Sequence, residues 1–323
     1  MSTGLIVVAL GGNAIIRAKE HGTLEEQIHN AHESLAPIAR IIATGRPVIL
    51  THGNGPIVGN ILLRNEAARS VVPPMPLYIC GADSQGGIGY MMQQVLRNSL
   101  ARLGAERPVA TVVTQVVVDA NDPAFAAPTK PIGPFFSASD AHLMRVRMGW
   151  VMVEDSGRGF RRVVASPEPR EIVELPVLRT LLGAGLSVIA VGGGGIPVVR
   201  EPNGDLRGIE AVVDKDLSAV LLAHELNASA LVFLTGISEV RHHYGEPDET
   251  PIHQASLAEV TTELANGEYA AGSMGPKIEA AIRFLSHGGE TVLITNPESL
   301  EAALEGKAGT RITKSGAPAG AIR

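Results

Sequence analysis

The stretch LIVVALGGNA, residues 5–14, decides the fold class of this chain. An apolar run, Leu5–Leu10, leads directly into Gly11, Gly12 and Asn13 and then into a helix-like segment. A buried strand, a glycine turn and a helix in this order are typical of a backbone that approaches a phosphate. The spacing matches neither the P-loop motif nor the dinucleotide fingerprint. We therefore expect an anion at this turn, bound by some other arrangement.

Further short runs of aliphatic residues recur along the chain. Because they are continuous and do not alternate with polar residues, they indicate strands buried on both faces, with helices between them. The pattern predicts an α/β fold with an open, mainly parallel sheet. These runs are Val48–Leu50, Val109–Val118, Val188–Val191, Leu231–Leu234 and Val292–Ile294. Five runs end in the loops GGNA, THGNGP, GGGGIP, LTGIS and ITNPES, which we expect to cluster at one edge of the sheet.

Composition excludes several classes of function. The 323 residues are 45% hydrophobic, enough for one large α/β domain or two smaller ones. The net charge of −6 and the lack of a basic run argue against nucleic-acid binding. No apolar run is long enough to span a membrane, and the chain begins without a signal-like segment, so we expect a cytoplasmic protein. Cys80 is the only cysteine, which excludes an intrachain disulfide.

Three lysines lie in segments suited to anions. Lys277 falls in the first turn of the helix predicted for PKIEAAIRFLSHGG, where a cation opposes the helix dipole unless an anion binds there. Lys215 lies between Asp214 and Asp216 in EAVVDKDLSAVLLA, at the expected start of a helix, and Lys130 lies in a proline-rich loop. Each alone fits a solvated surface pair. Together with the glycine-ended strands they indicate a site for several phosphate charges, in which Asp216 organises the ammonium groups and could also help to hold Mg²⁺.

The segment of residues from about 123 to 171, called the excursion below, differs from its surroundings. Its prolines exclude a regular helix or a central strand around Lys130, and strand-turn-strand character follows near DSGRG. We expect a small subdomain inserted into the sheet.

The sequence also offers no evident histidine or glutamate general base, which suits an acceptor that is already an anion, such as a carboxylate.

These motifs closely resemble those of the carbamate kinases, a group within the amino acid kinase family. The resemblance runs from ALGGNA to GKAGTRI and includes THGNGPIVGN, SQGGIGYMMQQ, EDSGRGFRRVVASPEP and VIAVGGGGIPVV. The segments TKPIGPF and VVDKDL are the most specific, because other amino acid kinases do not share them in this form.

The resemblance implies a three-layer α/β/α sandwich, with residues 1–323 as a single amino acid kinase domain and the excursion as a protruding subdomain. It implies a kinase that transfers a phosphoryl group reversibly between ATP and carbamate, giving ADP and carbamoyl phosphate, with Mg²⁺. The resemblance further implies that in catabolic settings, of which arginine metabolism is one, the reaction runs toward ATP. It also implies a homodimer, with small-molecule substrates and no nucleic-acid or membrane partner.

The resemblance assigns expected roles to particular residues. Lys130, Lys215, Asp216 and Lys277 are expected to be catalytic. Substrate and phosphate binding are expected at Gly11, Gly12, Asn13, Gly53 and Asn54, and nucleotide binding at Thr235, Tyr244, Met274, Pro276 and Lys277.

Three alternatives remain open at this point. A sister kinase of the same fold would form an acylphosphate on another small carboxylate. A regulator without catalytic activity would bind nucleotide without turnover. A nicotinamide dehydrogenase keeps some weight on fold grounds, although GGGGIP lacks the third glycine of the fingerprint.

Overall fold

A computed structural model describes residues 4–17, 20–155, 157–270, 274–316 and 322, without the side chain of Asn13. Its strands are β1 (Ile6–Leu10), β2 (Val48–His52), β3 (Val109–Thr111), β4 (Gln115–Val117), β5 (Lys130–Phe136), β6 (Met152–Glu154), β7 (Phe160–Val164), β8 (Glu171–Ile172), β9 (Ser187–Ile189), β10 (Ile196–Arg200), β11 (Leu206–Gly208), β12 (Ala230–Leu234), β13 (Val240–His242), β14 (Thr250–Ile252), β15 (Gln254–Ser256), β16 (Thr291–Thr295) and β17 (Thr310–Thr313). Its α-helices are α1 (Leu24–Ala43), α2 (Gly55–Ala67), α3 (Leu77–Arg102), α4 (Ala138–Met148), α5 (Leu175–Gly183), α6 (Lys215–Glu225), α7 (Leu257–Ala265), α8 (Gly275–Ser286) and α9 (Leu300–Leu304).

The main sheet has eight strands in the order β15-β17-β16-β12-β1-β2-β9-β3. Only β16 and β17 pair antiparallel within it, so the predicted mainly parallel sheet is confirmed. Strand β1 lies at its centre, between β12 and β2, and all five of its residues are buried. The continuous apolar run at residues 5–10 thus forms a strand covered on both faces.

Alternate residues of β1 enter two different cores, which defines three layers. Val7 and Ala9 pack in a cluster with Leu222 of α6 and Ile278 of α8. Ile6, Val8 and Leu10 pack instead in a cluster with residues of α1 and α3 such as Leu35 and Leu96. Helices therefore cover both faces of the sheet, and the three-layer α/β/α arrangement is confirmed.

The run Val109–Val118 was expected to be one strand and is two. Strand β3 joins the edge of the main sheet, whereas β4 joins a second sheet of order β11-β10-β4-β8. Between them, the Gln85 side chain from α3 holds Thr114: its Oε1 accepts from the Thr114 N–H at 2.8 Å, and its Nε2 donates to the Thr114 carbonyl at 3.0 Å. The chain changes sheets at Thr114, where the backbone N–H bonds to Gln85 while the carbonyl oxygen already accepts from Ile196 of the second sheet.

The excursion forms its own three-stranded sheet, in the order β5-β7-β6, with α4 beside it. The proline-containing β5 is an edge strand, and β6 and β7 are antiparallel on either side of the DSGRG turn. Ile132, Trp150 and Val164 pack in one cluster with Val58 and Leu62 of α2. An apolar contact with α2 therefore holds the excursion against the body of the protein.

Candidate active site

A cavity of about 910 Å³ opens at the carboxyl ends of β1, β12 and β16. The loops GGNA, LTGIS and ITNPES contribute Gly11, Gly12, Thr235, Gly236 and Asn296 to its lining. Strands β1, β2, β9, β12 and β16 run parallel, so the predicted clustering of all five loops at one edge is confirmed. The loops THGNGP and GGGGIP lie behind the cavity lining and support it.

Helix α6 brings Lys215 and Asp216 to the cavity because Asp214 caps its first turn. Asp214 Oδ1 accepts from the backbone N–H groups of Asp216 at 2.8 Å and of Leu217 at 3.3 Å. Lys215, the first helical residue, hydrogen-bonds through Nζ to Asp216 Oδ1. The DKD segment is thus a capped helix start that presents a lysine and a carboxylate together.

Helix α8 brings Lys277 to the same carboxylate. Pro276 stands in its first turn, as predicted, and Ile278, Ala281 and Leu285 are buried on its inner side. Lys277 Nζ lies 3.4 Å from Asp216 Oδ2, so Asp216 contacts one lysine through each of its oxygen atoms. The first turns of two helices and two lysines therefore converge on one place, which favours anion binding.

Burial and charge act against each other at Asp216. Its side chain is only 6% exposed. Burial alone raises the pKa of the Asp216 carboxyl, but the positive charges of Lys215 and Lys277 outweigh it and lower that pKa to about 2. Burial, together with the repulsion from Lys215, lowers the pKa of Lys277, although Asp216 opposes this. Asp216 is thus a permanent negative charge that stabilises both ammonium groups.

Lys130 reaches the cavity from the excursion. It is the first residue of β5, and its Nζ forms an ion pair with Asp214 Oδ2 across 84 positions of sequence. Burial opposes ionisation of Asp214, yet Lys130 keeps the pKa of this carboxyl below its usual value. Three lysines against two aspartates leave the cluster with one excess positive charge when all are ionised.

The glycine turn after β1 is open toward the cavity. A Cβ atom on Gly12 would meet nothing closer than Pro56 Cδ at 3.7 Å, so protein packing does not require a glycine there. Gly53 differs, because a Cβ on it would lie 3.0 Å from the Gly12 backbone nitrogen and 3.2 Å from Lys215 Cδ. Gly53 therefore lets the loop after β2 support the Gly11–Gly12 turn and Lys215. The side chain of Asn13 lies outside the described residues.

Asn54 is buried beside the glycine-rich loop and does not line the cavity. Its Nδ2 donates to Ser84 Oγ at 2.7 Å. A Cβ on Gly193 would lie 2.1 Å from that same nitrogen atom, so the GGGGIP loop must be glycine to pack against Asn54. The predicted ligand loop GGGGIP is a buried support here, because its first three glycines are enclosed by α3, α6 and β2.

His52 is a buried titratable group next to the site. It ends β2 and is 1% exposed, with Nδ1 3.2 Å from the Gly53 carbonyl oxygen. Burial lowers the pKa of its imidazole to about 4. His52 is thus neutral near pH 7 and adds no charge to the cluster.

The other expected nucleotide residues line the same cavity. Thr235, Tyr244, Met274 and Pro276 do so together with Lys277, and the Tyr244 side chain is exposed. Further residues that the sequence did not predict also line the cavity, and they come from the segments that follow β1, β12 and β16 and from the segment before α8. They include Arg17, Arg241, Glu268, Tyr269, Asn296 and Glu298. Loop positions after β12 and β16 were the available signal for some of them.

The carboxylates of the cluster are already engaged by lysines and by the α6 cap. Among the described residues there is no group of three or more His, Cys, Asp or Glu side chains that could hold a metal. An Mg²⁺ ion commonly keeps one or two carboxylates plus substrate phosphates as ligands. The donor set therefore fits an Mg²⁺ ion that arrives with a nucleotide, and it does not fit a resident all-protein metal cage.

The chain belongs to the amino acid kinase family, whose model matches residues 4–296. Within that family it is similar to carbamate kinases. The carbamate kinase of Pyrococcus horikoshii is 47% identical over 310 residues, which are 95% of this chain and 98% of that protein. A carbamate kinase-like protein of Escherichia coli is 49% identical over 313 residues, covering 96% of this chain and 99% of that protein.

A solved structure supports the same grouping. The carbamate kinase of Giardia lamblia bound to AMP-PNP superposes with a TM-score of 0.89 and 45% identity. The match covers 97% of this chain and 99% of that one. These comparisons confirm the resemblance and the fold, and they identify the chain as a kinase.

Proposed function

We propose that this protein is a carbamate kinase, which transfers a phosphoryl group reversibly between ATP and carbamate. The observation that carries the proposal is the contact of one buried carboxylate, Asp216, with Lys215 and Lys277 at two helix starts beside the Gly11–Gly12 turn. Phosphoryl transfer requires positioning and charge neutralisation more than covalent help from the protein. This cluster supplies both, and the similarity to carbamate kinases supports carbamate as the acceptor.

The lysines stabilise the charge of the transferred group. Lys215 and Lys277 bind phosphate oxygens of the nucleotide, and Asp216 keeps their ammonium groups in place between turnovers. Gly11 and Gly12 let those oxygens approach the backbone, because no Cβ intervenes on the cavity side. We assign a third phosphate contact to Lys130, which enters from the excursion. Asn13 is proposed to add a polar contact from the same turn.

The acceptor needs no general base. Carbamate is an anion whose oxygen attacks the phosphorus directly, so no proton has to be removed first. The lining contains no histidine among the described residues, and His52 stands behind it as a neutral side chain. The Gly53–Asn54 loop is proposed to lie on the carbamate side of the site. It supports the Gly11–Gly12 turn there, since Gly53 packs against the backbone of Gly12.

Mg²⁺ is proposed to enter with ATP or ADP and to neutralise part of the phosphate charge. Asp216 is a candidate for an outer contact to the ion, since both of its oxygen atoms already accept from lysines.

The base and ribose of the nucleotide are proposed to lie among Thr235, Tyr244, Met274 and Pro276. We further propose a cytoplasmic homodimer that works toward ATP in catabolism, for which the family resemblance is the support. Among the described residues no helix is both long and apolar enough to cross a membrane.

An ATP-forming assay tests the proposal. Folded protein with carbamoyl phosphate, ADP and Mg²⁺ should form ATP, whereas acetyl phosphate in place of carbamoyl phosphate should be a much poorer donor. The Lys277→Ala variant, purified in the same way, controls for contaminating kinases. Absence of ATP above that control would overturn the proposal, and a preference for another acylphosphate would favour the sister kinase.

A further inference from the structure

Two glycines meet where the excursion packs on the body of the protein. Gly59 lies in α2 and Gly133 lies in β5, three residues after Lys130. A Cβ atom on Gly59 would lie 1.9 Å from Gly133 Cα and 2.4 Å from its backbone nitrogen. Helix and strand are thus in backbone contact, and no residue larger than glycine fits at Gly59 without moving β5.

The strand is bent and held at this point. The pairing of β5 with β7 shifts in register between Ile132 and Phe136, and Gly133 has a φ of +73° in the left-handed region. The Gly133 carbonyl accepts from Arg161 Nε at 3.0 Å, and Arg161 also pairs with Asp155 at 3.3 Å. The excursion itself therefore holds the bend in place, so a push on Gly133 is transmitted to its neighbours in β5.

The same contact links Lys130, which lines the cavity, to the loop after β2, which supports the cavity from behind. Helix α2 begins at Gly55, immediately after Asn54, and Val58 packs with Ile132 in a shared apolar cluster. Strand β5 begins at Lys130, whose Nζ pairs with Asp214. The backbone contact one turn into α2 thus determines how far Lys130 stands from the loop after β2.

We propose that Gly59 is a positioning residue, whose contact with Gly133 places the Lys130 ammonium group over the reacting phosphoryl group. The inference rests on the proposed function and deepens it. Ordinary carbon contact begins near 3.4 Å, so an alanine at Gly59 would push β5 away by about 1.5 Å. A displacement of about 1 Å at a catalytic group can lower turnover by about 100-fold.

The test compares Gly59→Ala with Gly87→Ala. Gly87 is an exposed glycine inside α3 whose added Cβ would meet nothing within 4 Å, so it makes the same chemical change without a clash. We expect kcat of Gly59→Ala to fall about 10- to 100-fold. The KM for ADP should stay near its original value, because other elements form the nucleotide side. Gly87→Ala should match the original protein.

A double variant separates positioning from general damage. If Gly59 acts through Lys130, then Gly59→Ala should cost almost nothing further in a Lys130→Ala background. Losses that multiply in the double variant would overturn the proposal, as would a Gly59→Ala protein with normal kcat. If Gly59→Ala does not fold, the kcat of Arg161→Gln is measured instead, alone and in the Lys130→Ala background. Arg161→Gln loosens the Gly133 bend from the opposite side, because Arg161 donates to the Gly133 carbonyl. Failure of the proposed function would appear instead as inactivity of the original protein and of Gly87→Ala.

Discussion

Replacing Asp216 by asparagine removes the charge that two buried lysines share while leaving the side-chain shape. Lowering the Asp216 pKa from an ordinary 3.8 to about 2 corresponds to about 2 kcal/mol of stabilisation in the folded state. Because the folded-state pKa is depressed, this contribution is present at neutral pH and is lost as the pH falls through that value. Asp216→Asn should therefore be about 2 kcal/mol less stable near pH 7, with the gap closing in acid.

Asp216→Asn should also lower turnover, and by more than its loss of stability alone would cause. Without Asp216, Lys215 and Lys277 repel each other, and burial already lowers the pKa of Lys277. We expect kcat for ATP formation to fall at least about 100-fold, the effect of losing one organised charge at a transferring group. Urea unfolding near pH 7 and pH 3 gives the stability, and a coupled assay gives kcat.

The matched control is Asp119→Asn. Asp119 pairs with Arg170, a side chain that is 59% exposed, and surface pairs of this kind contribute about 1 kcal/mol or less. That variant should keep full turnover. If Asp216→Asn kept the stability and turnover of the control, Asp216 would not be the organiser of the lysines, and the electrostatic account would be wrong.

Three further predictions use the same site. Lys215→Ala and Lys277→Ala should each lower kcat by about 100- to 1000-fold, whereas Lys307→Ala, an exposed lysine paired with Glu305, should leave it unchanged in the same assay. Gly12→Ala should unfold at the original temperature yet lose turnover at least about 10-fold, because its added Cβ has room within the protein and blocks only the phosphate. A loss of stability without a loss of turnover would show instead that packing requires the glycine. Between about pH 7 and pH 5 the original protein should lose about 2 kcal/mol more stability than His52→Gln, as measured by urea unfolding. The imidazole takes up a proton there in the unfolded protein but not in the folded one, where its pKa is about 4. Equal pH dependence of the two unfolding free energies would refute this.

Local patterns were sufficient to predict the central sheet and the two lysine-bearing helices. The unbroken apolar run of β1 required burial on both faces, and the capping Asp214 and the first-turn Pro276 marked the starts of α6 and α8. Lys277 was conspicuous because a cation at a helix start contradicts the dipole. Its position beside Asp216 resolves that contradiction.

The features that were missed depend on residues distant in sequence. The break in Val109–Val118 comes from Gln85, and the burial of Asn54 comes from its contact with Gly193. Nothing local to Lys130 reveals Asp214 as its partner, and nothing local to Gly59 reveals Gly133. The missed cavity residues Arg241 and Tyr269 likewise enter only when their segments fold over the cavity.

A crystal structure of this protein with ADP bound tests the central claim most directly. We expect the terminal phosphate of ADP to lie beside the Gly11–Gly12 turn, with Lys215 and Lys277 Nζ within about 3 Å of its oxygen atoms. The Lys130 ammonium group should face the same place from the excursion. Phosphates bound elsewhere, away from Lys215 and Lys277, would contradict the account.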